Sequence, residues 1–348
     1  MSWEEELIHL YDKNTSQIGR IQLKSFQSSG KEEQIPYVLL PPFHTTVTAQ
    51  IQVTLSADGD FLGASKVESK DKLTMIPVTE KSASRTAGKA PHPLCDSLKY
   101  LAGDYGRYVR DTNGDAERCH KLYMEELKKW HCSSFSHEKV DAVWTYLEKG
   151  TLMQDLLREK VLQQNEEGHL DDAVKLEGVA QDSAFVRFLV RGRAGMRDGQ
   201  TSDACWKDSS LWDCFIRYYQ SMEGIKDLDY LTGERQPPSY LHSKKIRNEG
   251  DGAKLISSND EANFTFRGRF ATKEQAFAIG IETSQKLHNA LKWIIRKQGR
   301  SFDTLTMVTW ESDLKEMPPW DADTETIASA AFPETLPEAA GEEFQDPF

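Results

Sequence analysis

Residues 47–55 read Val47-Thr48-Ala49-Gln50-Ile51-Gln52-Val53-Thr54-Leu55, with apolar and polar side chains in strict alternation. Successive side chains of a strand point to opposite faces, so a period of two describes one half-buried strand. Asp58-Gly59 follows as a hairpin turn, and Phe61-Leu62 begin the return. Working outward, Leu39-Leu40 and Leu73 to Val78 add strand segments. A helix opens the chain, with Trp3, Leu7, Leu10 and Tyr11 at helical spacing. Together these give a β-rich domain over residues 1–94. Its last part, Lys66 to Pro93, is rich in Lys, Ser, Thr and Gly and reads as an extended basic loop.

Beyond residue 95 the period changes. Leu122, Leu127, Trp130, Val140, Val143, Trp144, Leu147, Leu152 and Leu156 recur at helical intervals, broken by Gly114 and Gly150, which marks residues 95–180 as a helical region. Residues 181–317 read as mixed α/β. Strands are expected at 184–192, Asp229 to Glu234, Leu255-Ile256 and Leu305 to Trp310, and helices at 211–222 and 273–298. The second helix carries Phe277, Ile281, Leu287, Leu291 and Ile294 on one side and Lys286, Lys292, Arg296 and Lys297 at exposed positions. Residues 318–348, acidic and poor in large core residues, read as a linker or disordered tail. The expected fold class is α+β.

Of 348 residues, 38% are hydrophobic, enough for more than one core. The net charge of −12 argues against a generic nucleic-acid-coating protein until it is mapped. Residues 311–348 hold eleven acids and one base, which leaves 42 bases and 44 acids in residues 1–310. Residues 235–305 carry 13 bases against 7 acids, a local positive excess suited to phosphate. Five widely spaced cysteines and an opening without a basic or apolar leader point to reduced thiols in the cytoplasm. No apolar run approaches the roughly 20 residues that span a bilayer, so no membrane association is expected.

Enzyme chemistry finds no anchor. The sequence has no Gly-Lys-Ser/Thr phosphate loop, no His-Glu-x-x-His helix and no Gly-x-Ser-x-Gly elbow. Cys119-His120 and His131-Cys132 are zinc-type side chains, but on one helix the two cysteines stand roughly 20 Å apart, too far for one ion. His242 and His288 lack a local carboxylate or nucleophile. No catalytic residue, metal or cofactor is expected.

Three stretches suit a nucleic acid. Lys244-Lys245-Ile246-Arg247 leads through Gly250 and Gly252 to Lys254 and Ser257-Ser258-Asn259, combining cations, a loop able to approach closely, and side chains able to bond to phosphates or base edges. In Phe264-Thr-Phe-Arg-Gly-Arg-Phe270, Arg267 and Arg269 sit among three aromatics. The loop bearing Lys70, Lys72, Arg85 and Lys89 is the third. Taken singly, each is also what a solvated charged loop looks like.

A longer pattern joins them. Tyr230-Leu-Thr-Gly-Glu234, Leu241-His242, Gly252 to Asn259, Asn263 to Phe270, Ser284 to Trp293 and Val308-Thr-Trp310 resemble the large subunit of the type I-C CRISPR effector complex, Cascade. Leu10-Tyr11-Asp12, the turn at Asp58-Gly59 and Arg85-Thr-Ala-Gly88 agree, so the likeness covers most of residues 1–320. It is to the N-terminal part of that family, without its C-terminal helical domain. The resemblance implies a non-enzymatic subunit that recognises the protospacer-adjacent motif in duplex DNA. It implies promotion of unwinding and R-loop formation, and help in recruiting the helicase-nuclease. The implied partners are crRNA, double-stranded target DNA with its displaced non-target strand, and the backbone, handle-binding and small subunits. On this reading Lys70, Lys72, Arg85, Lys89, Lys244, Lys245, Arg247, Lys254, Ser257, Ser258 and Asn259 face the duplex, and Arg267 and Arg269 contact phosphate or the RNA handle. The alternative is a scaffold that docks neighbouring subunits through Trp130, Trp144, Trp206 and Trp212 without touching DNA.

Overall fold

The computed structural model describes residues 2–28, 31–83, 85, 89–110, 114–192, 202–222, 226–248, 250–252, 254–256, 279–302 and 305–311. It is an α+β protein in which small sheets are backed by helices. The expected tail, 318–348, lies outside the described residues, as do Ser257, Ser258, Asn259, Arg267 and Arg269.

The opening helix, α1 (Trp3–Lys13), starts in a capping box. The Ser2 hydroxyl accepts from the Glu5 N–H, and the Ser2 N–H donates to the Glu5 carboxylate. Leu7, Leu10 and Tyr11 are buried, whereas Trp3 is 46% exposed and does not join that face. A ribbon unforeseen from the sequence follows, β1 (Gln22–Ser28) against β2 (Lys31–Tyr37). Leu39 makes only an isolated bridge to Ile18, not a strand.

The alternating stretch forms two strands instead of one. β3 (His44–Thr48) and β4 (Ile51–Ser56) are separated at Ala49-Gln50. Both break residues are buried, and the Gln50 side chain accepts from the Phe185 N–H (2.8 Å) and donates to the Thr48 carbonyl (3.0 Å). That bonding turns the chain so that β3 and β4 join different sheets. β4 pairs with β5 (Phe61–Lys66), while β3 pairs with β6 (Leu73–Pro77). The hairpin turn at Asp58-Gly59 is as expected: Gly59 has φ +80°, and a Cβ there would lie 2.8 Å from the Ala142 carbonyl oxygen, so the turn docks closely on a helix.

That helix belongs to the middle region. After α2 (Glu80–Ala83) come α3 (Leu98–Leu101), α4 (Asp115–His131), α5 (Glu138–Leu147) and α6 (Leu152–Arg158). Two short strands, β7 (Lys175–Leu176) and β8 (Val179–Ala180), precede β9 (Val186–Arg191). β9 runs parallel to β4, pairing Ile51 with Val186, Val53 with Phe188 and Leu55 with Val190. α7 (Ser209–Ser221) adds Phe215 and Tyr218 to the same core, which draws on residues from Phe43 to Ile281 and crosses the changes of period near residues 94 and 180.

Several expectations in the last region shift. Asp229 to Glu234 is the turn of a hairpin, not a strand; β10 (Asp227–Leu228) and β11 (Arg235–Gln236) flank it. The buried Asp229 carboxylate holds this turn by accepting from the N–H groups of Leu231 and Thr232, and it also accepts from that of Gly280 (2.9 Å). Leu255-Ile256 is a bend, with Leu255 53% exposed. The long helix, α8 (Ile281–Gln298), begins at residue 281 because Gly280 is extended; Phe277 lies outside the described residues. The last expected strand is the shorter β13 (Leu305–Met307), paired with β12 (Arg300–Phe302). A second core joins Leu7, Leu10, Tyr11, Leu39 and Ile246 to Leu287, Trp293 and Ile294 of α8.

Candidate nucleic-acid interface

Of the expected contact residues in the first basic loop, two are exposed and two are engaged internally. Lys70 lies within the single turn Ser69–Asp71 and Lys72 follows it directly; Lys70 pairs with Glu68 at 2.8 Å in open solvent. Arg85 is different. Its guanidinium forms two 2.9 Å bonds to the buried Asp96 carboxylate and one to the Ala90 carbonyl, and it lies 4.5 Å from the Tyr100 ring centroid. A guanidinium so committed organises the loop. Lys89 pairs with Asp115 at the start of α4 and holds that carboxyl below its ordinary range.

The second basic loop is anchored from below. One oxygen of Glu80 accepts from the Ser239 hydroxyl and from the N–H groups of Tyr240 and Leu241. Ile246 is buried against α1 and α8, which leaves Lys244, Lys245 and Arg247 outside. Arg247 clamps Asp251 through 2.9 and 3.1 Å bonds, and the Lys245 N–H donates to the Asp251 carbonyl, so residues 245–251 close on themselves. Burial, with Lys244 nearby, pulls Lys254 below the usual ammonium range.

The structure brings Lys245 together with two cations of α8. Lys245, Lys292 and Arg296 line a groove of about 490 Å³, walled opposite by Thr45, Thr46 and Thr48 of β3. Among the described residues lining it, none is Asp or Glu. Leu73, which follows Lys72 directly, also lines it. Lys292 donates to the Ser243 hydroxyl at 2.6 Å, tying α8 to the base of the second loop. Trp293, 1% exposed, lines the same groove, and its indole N–H has no acceptor among the described residues. Lys292 and Arg296 are four residues apart on α8 and so share one helical face. That spacing is legible in the sequence, and Lys292 and Arg296 are half-buried, not freely exposed.

Other candidates resolve into structure. His242 and His288 are linked through the Ser284 hydroxyl, at 2.8 and 3.3 Å, and no carboxylate among the described residues is bonded to them. Burial pulls both down, to about 3 and about 4, so each is neutral near pH 7. Cys119 is buried within α4 and Cys132 is its exposed C-cap. Trp130, Trp206 and Trp212 are buried, and Trp144 stacks on His131, so the docking surface of the scaffold alternative lies largely inside the core. None of the helices among the described residues is long and apolar enough to cross a membrane.

No curated protein matches the chain. A family model described as CRISPR-associated protein, Cas_Csd1, matches residues 24–346, nearly the whole length. With that span, the chain belongs to the Cas_Csd1 family and is a CRISPR-associated large subunit of the type I-C Cascade class.

Proposed function

We propose that this subunit recognises the protospacer-adjacent motif in duplex DNA within an RNA-guided surveillance complex. It promotes unwinding and R-loop formation and helps to recruit the helicase-nuclease, without cutting DNA itself. The observation that carries the reading is the groove beside the second basic loop, where Lys245, Lys292 and Arg296 converge and no Asp or Glu is among the described lining residues. Guide pairing supplies most of the sequence information in such assemblies, so the protein needs only local cation density and a short reading element. Lys70, Lys72, Lys244, Lys254 and the segment Ser257-Ser258-Asn259 are assigned to the duplex, and Arg267 and Arg269 to phosphate or the RNA handle. Arg85 and Lys89 shape the first loop. The remaining Cascade subunits and crRNA are its partners in the cytoplasm; Leu23, Leu305 and Met307, each at least half exposed, offer apolar contacts to a neighbouring subunit.

The test is binding of the reconstituted complex, with and without this chain, to duplexes differing only in the bases that flank the protospacer. Discrimination that requires the chain and falls with Lys254→Ala plus Asn259→Ala supports the reading. Equal binding to all flanks overturns it.

A further inference from the structure

Residues 202–208 form a strap beside β9. The Val190 N–H donates to the Asp203 carbonyl at 2.9 Å, and Ala204 bridges Leu189. One buried cation grips both ends of the strap: the Lys139 ammonium, on α5, donates to the Ser202 carbonyl and to the Asp208 carboxylate. Lys139 is 3% exposed and Asp208 is fully buried, so the pair is an internal fastening. From its middle the strap reaches the first basic loop. The Arg187 guanidinium lies 3.8 Å from the Trp206 ring centroid and donates to the Asp71 carbonyl (2.6 Å) and carboxylate (2.8 Å), between Lys70 and Lys72. Lys207 adds a 3.8 Å ion pair to the same carboxylate.

The fastening has a titratable neighbour. His137 is the N-cap of α5, and its Nδ1 accepts from the Lys139 N–H at 3.2 Å. The Ser210 hydroxyl gives its proton to Asp208 at 2.6 Å, so the His137 Nε2, 3.1 Å from that hydroxyl, is the donor there. This pattern requires a neutral ring with an unprotonated Nδ1. A second proton abolishes the cap bond and sets a cation beside the Lys139 ammonium. It also competes for the Asp208 oxygen 4.0 Å away, the one that Lys139 holds. The charged groups facing the ring are Asp208 at the start of α7 and Lys139, Glu138 and Asp141 of α5. Burial, with the Lys139 charge, outweighs the three acids and holds the imidazole below its ordinary range.

We propose that residues 202–208 are a strut for the first basic loop, fastened while His137 is neutral and released when His137 takes a proton. Once released, Trp206 no longer backs Arg187, and the turn bearing Asp71 loses the guanidinium that fixes it. An open strap leaves His137 to titrate near 6.5, so release is rarest above that pH and rises by up to about tenfold per unit below it. The consequence for DNA rests on the assignment of Lys70 and Lys72 to the duplex made above: a loosened loop meets the duplex less well ordered, with no contact residue altered.

The experiment is amide hydrogen exchange on the full chain from pH 7.5 to 5.5, each rate divided by its intrinsic value at that pH. The wild type is compared with His137→Gln, whose side-chain oxygen keeps an acceptor for the cap but takes up no proton. In the wild type, opening of residues 202–208 and of residues 67–75 is expected to rise together, by up to about tenfold across the range, while α6 keeps its protection. In His137→Gln both rises are expected to vanish. A rise of equal size in His137→Gln, or no rise in the wild type, overturns the proposal; so does opening of the strap with residues 67–75 unchanged. Duplex binding by the assembled complex is measured over the same pH range, and a loss of affinity in the wild type that His137→Gln removes is expected. If strap and loop loosen together and affinity holds, the strut stands and the assignment of Lys70 and Lys72 to the duplex has failed.

Discussion

Arg85 and Asp96 meet in a two-pronged ion pair, each nitrogen 2.9 Å from its oxygen, with the carboxylate fully buried. Asp96 also accepts from the His92 and Ser97 N–H groups, so the pair fixes the turn leading into α3. Arg85→Ala leaves a buried carboxylate without its cation and is expected to cost about 3–5 kcal/mol. Urea denaturation checks this; a variant of unchanged stability with weakened duplex binding would instead place Arg85 on the DNA.

Groove charge has a salt signature. Each phosphate contact removed is expected to lower the slope of log K against log salt by about 0.7–0.9. Lys245→Ala, Lys292→Ala and Arg296→Ala, each assayed in the assembled complex at several salt concentrations, should each reduce the slope and weaken binding alike for all sequences. An effect confined to one flanking sequence would speak for base reading instead.

Acid should unfold the protein early. Burial pulls His44, His92 and His288 down to about 4 and His242 to about 3, so all are neutral when folded. The unfolded chain takes up these protons near pH 6.5, whereas the folded chain does not until well below pH 5. Stability is therefore full above about pH 6.5 and falls as pH drops toward 4, by about 1.4 kcal/mol per pH unit per histidine. Four such groups rival the whole stability of an ordinary domain within two units. Thermal melts from pH 7.5 to 4.5 measure the slope, and His288→Gln should reduce it by about one proton.

Gly59 sits where the β4–β5 turn meets α5. With φ +80° and the Ala142 carbonyl 2.8 Å from where a Cβ would stand, Gly59→Ala combines backbone strain with a clash. A loss of about 1–3 kcal/mol is expected in chemical denaturation, while Gly106→Ala, at a glycine without positive φ and with open space around it, is the comparison.

What the sequence made legible was local. Period two located β4, period 3.6 located α4 and α7, and Asp58-Gly59 located the turn, because backbone geometry sets those patterns. It did not reveal the break at Ala49-Gln50, since an alternating pattern reads the same whether or not the chain changes sheets, and Gln50 breaks the strand through a bond to the distant Phe185. Basic residues were found as a class but not sorted. Nothing near Arg85 in sequence distinguishes a cation facing solvent from one neutralised by Asp96, and the convergence of Lys245 with Lys292 and Arg296 depends on Ile246 docking against α8.

The parallel pairing of β4 with β9 has a consequence for synthesis. Gln52 meets Arg187 across 135 residues of sequence, so at roughly 5–20 residues per second the ribosome delivers the partner about 7–27 s after β4 has emerged. Through that interval the nascent hairpin presents an open, apolar edge to whatever else is in reach. Fragments ending before residue 186 never acquire the strand that covers it, so the insoluble product expected from such fragments would report a missing edge partner and not a defect in the hairpin itself.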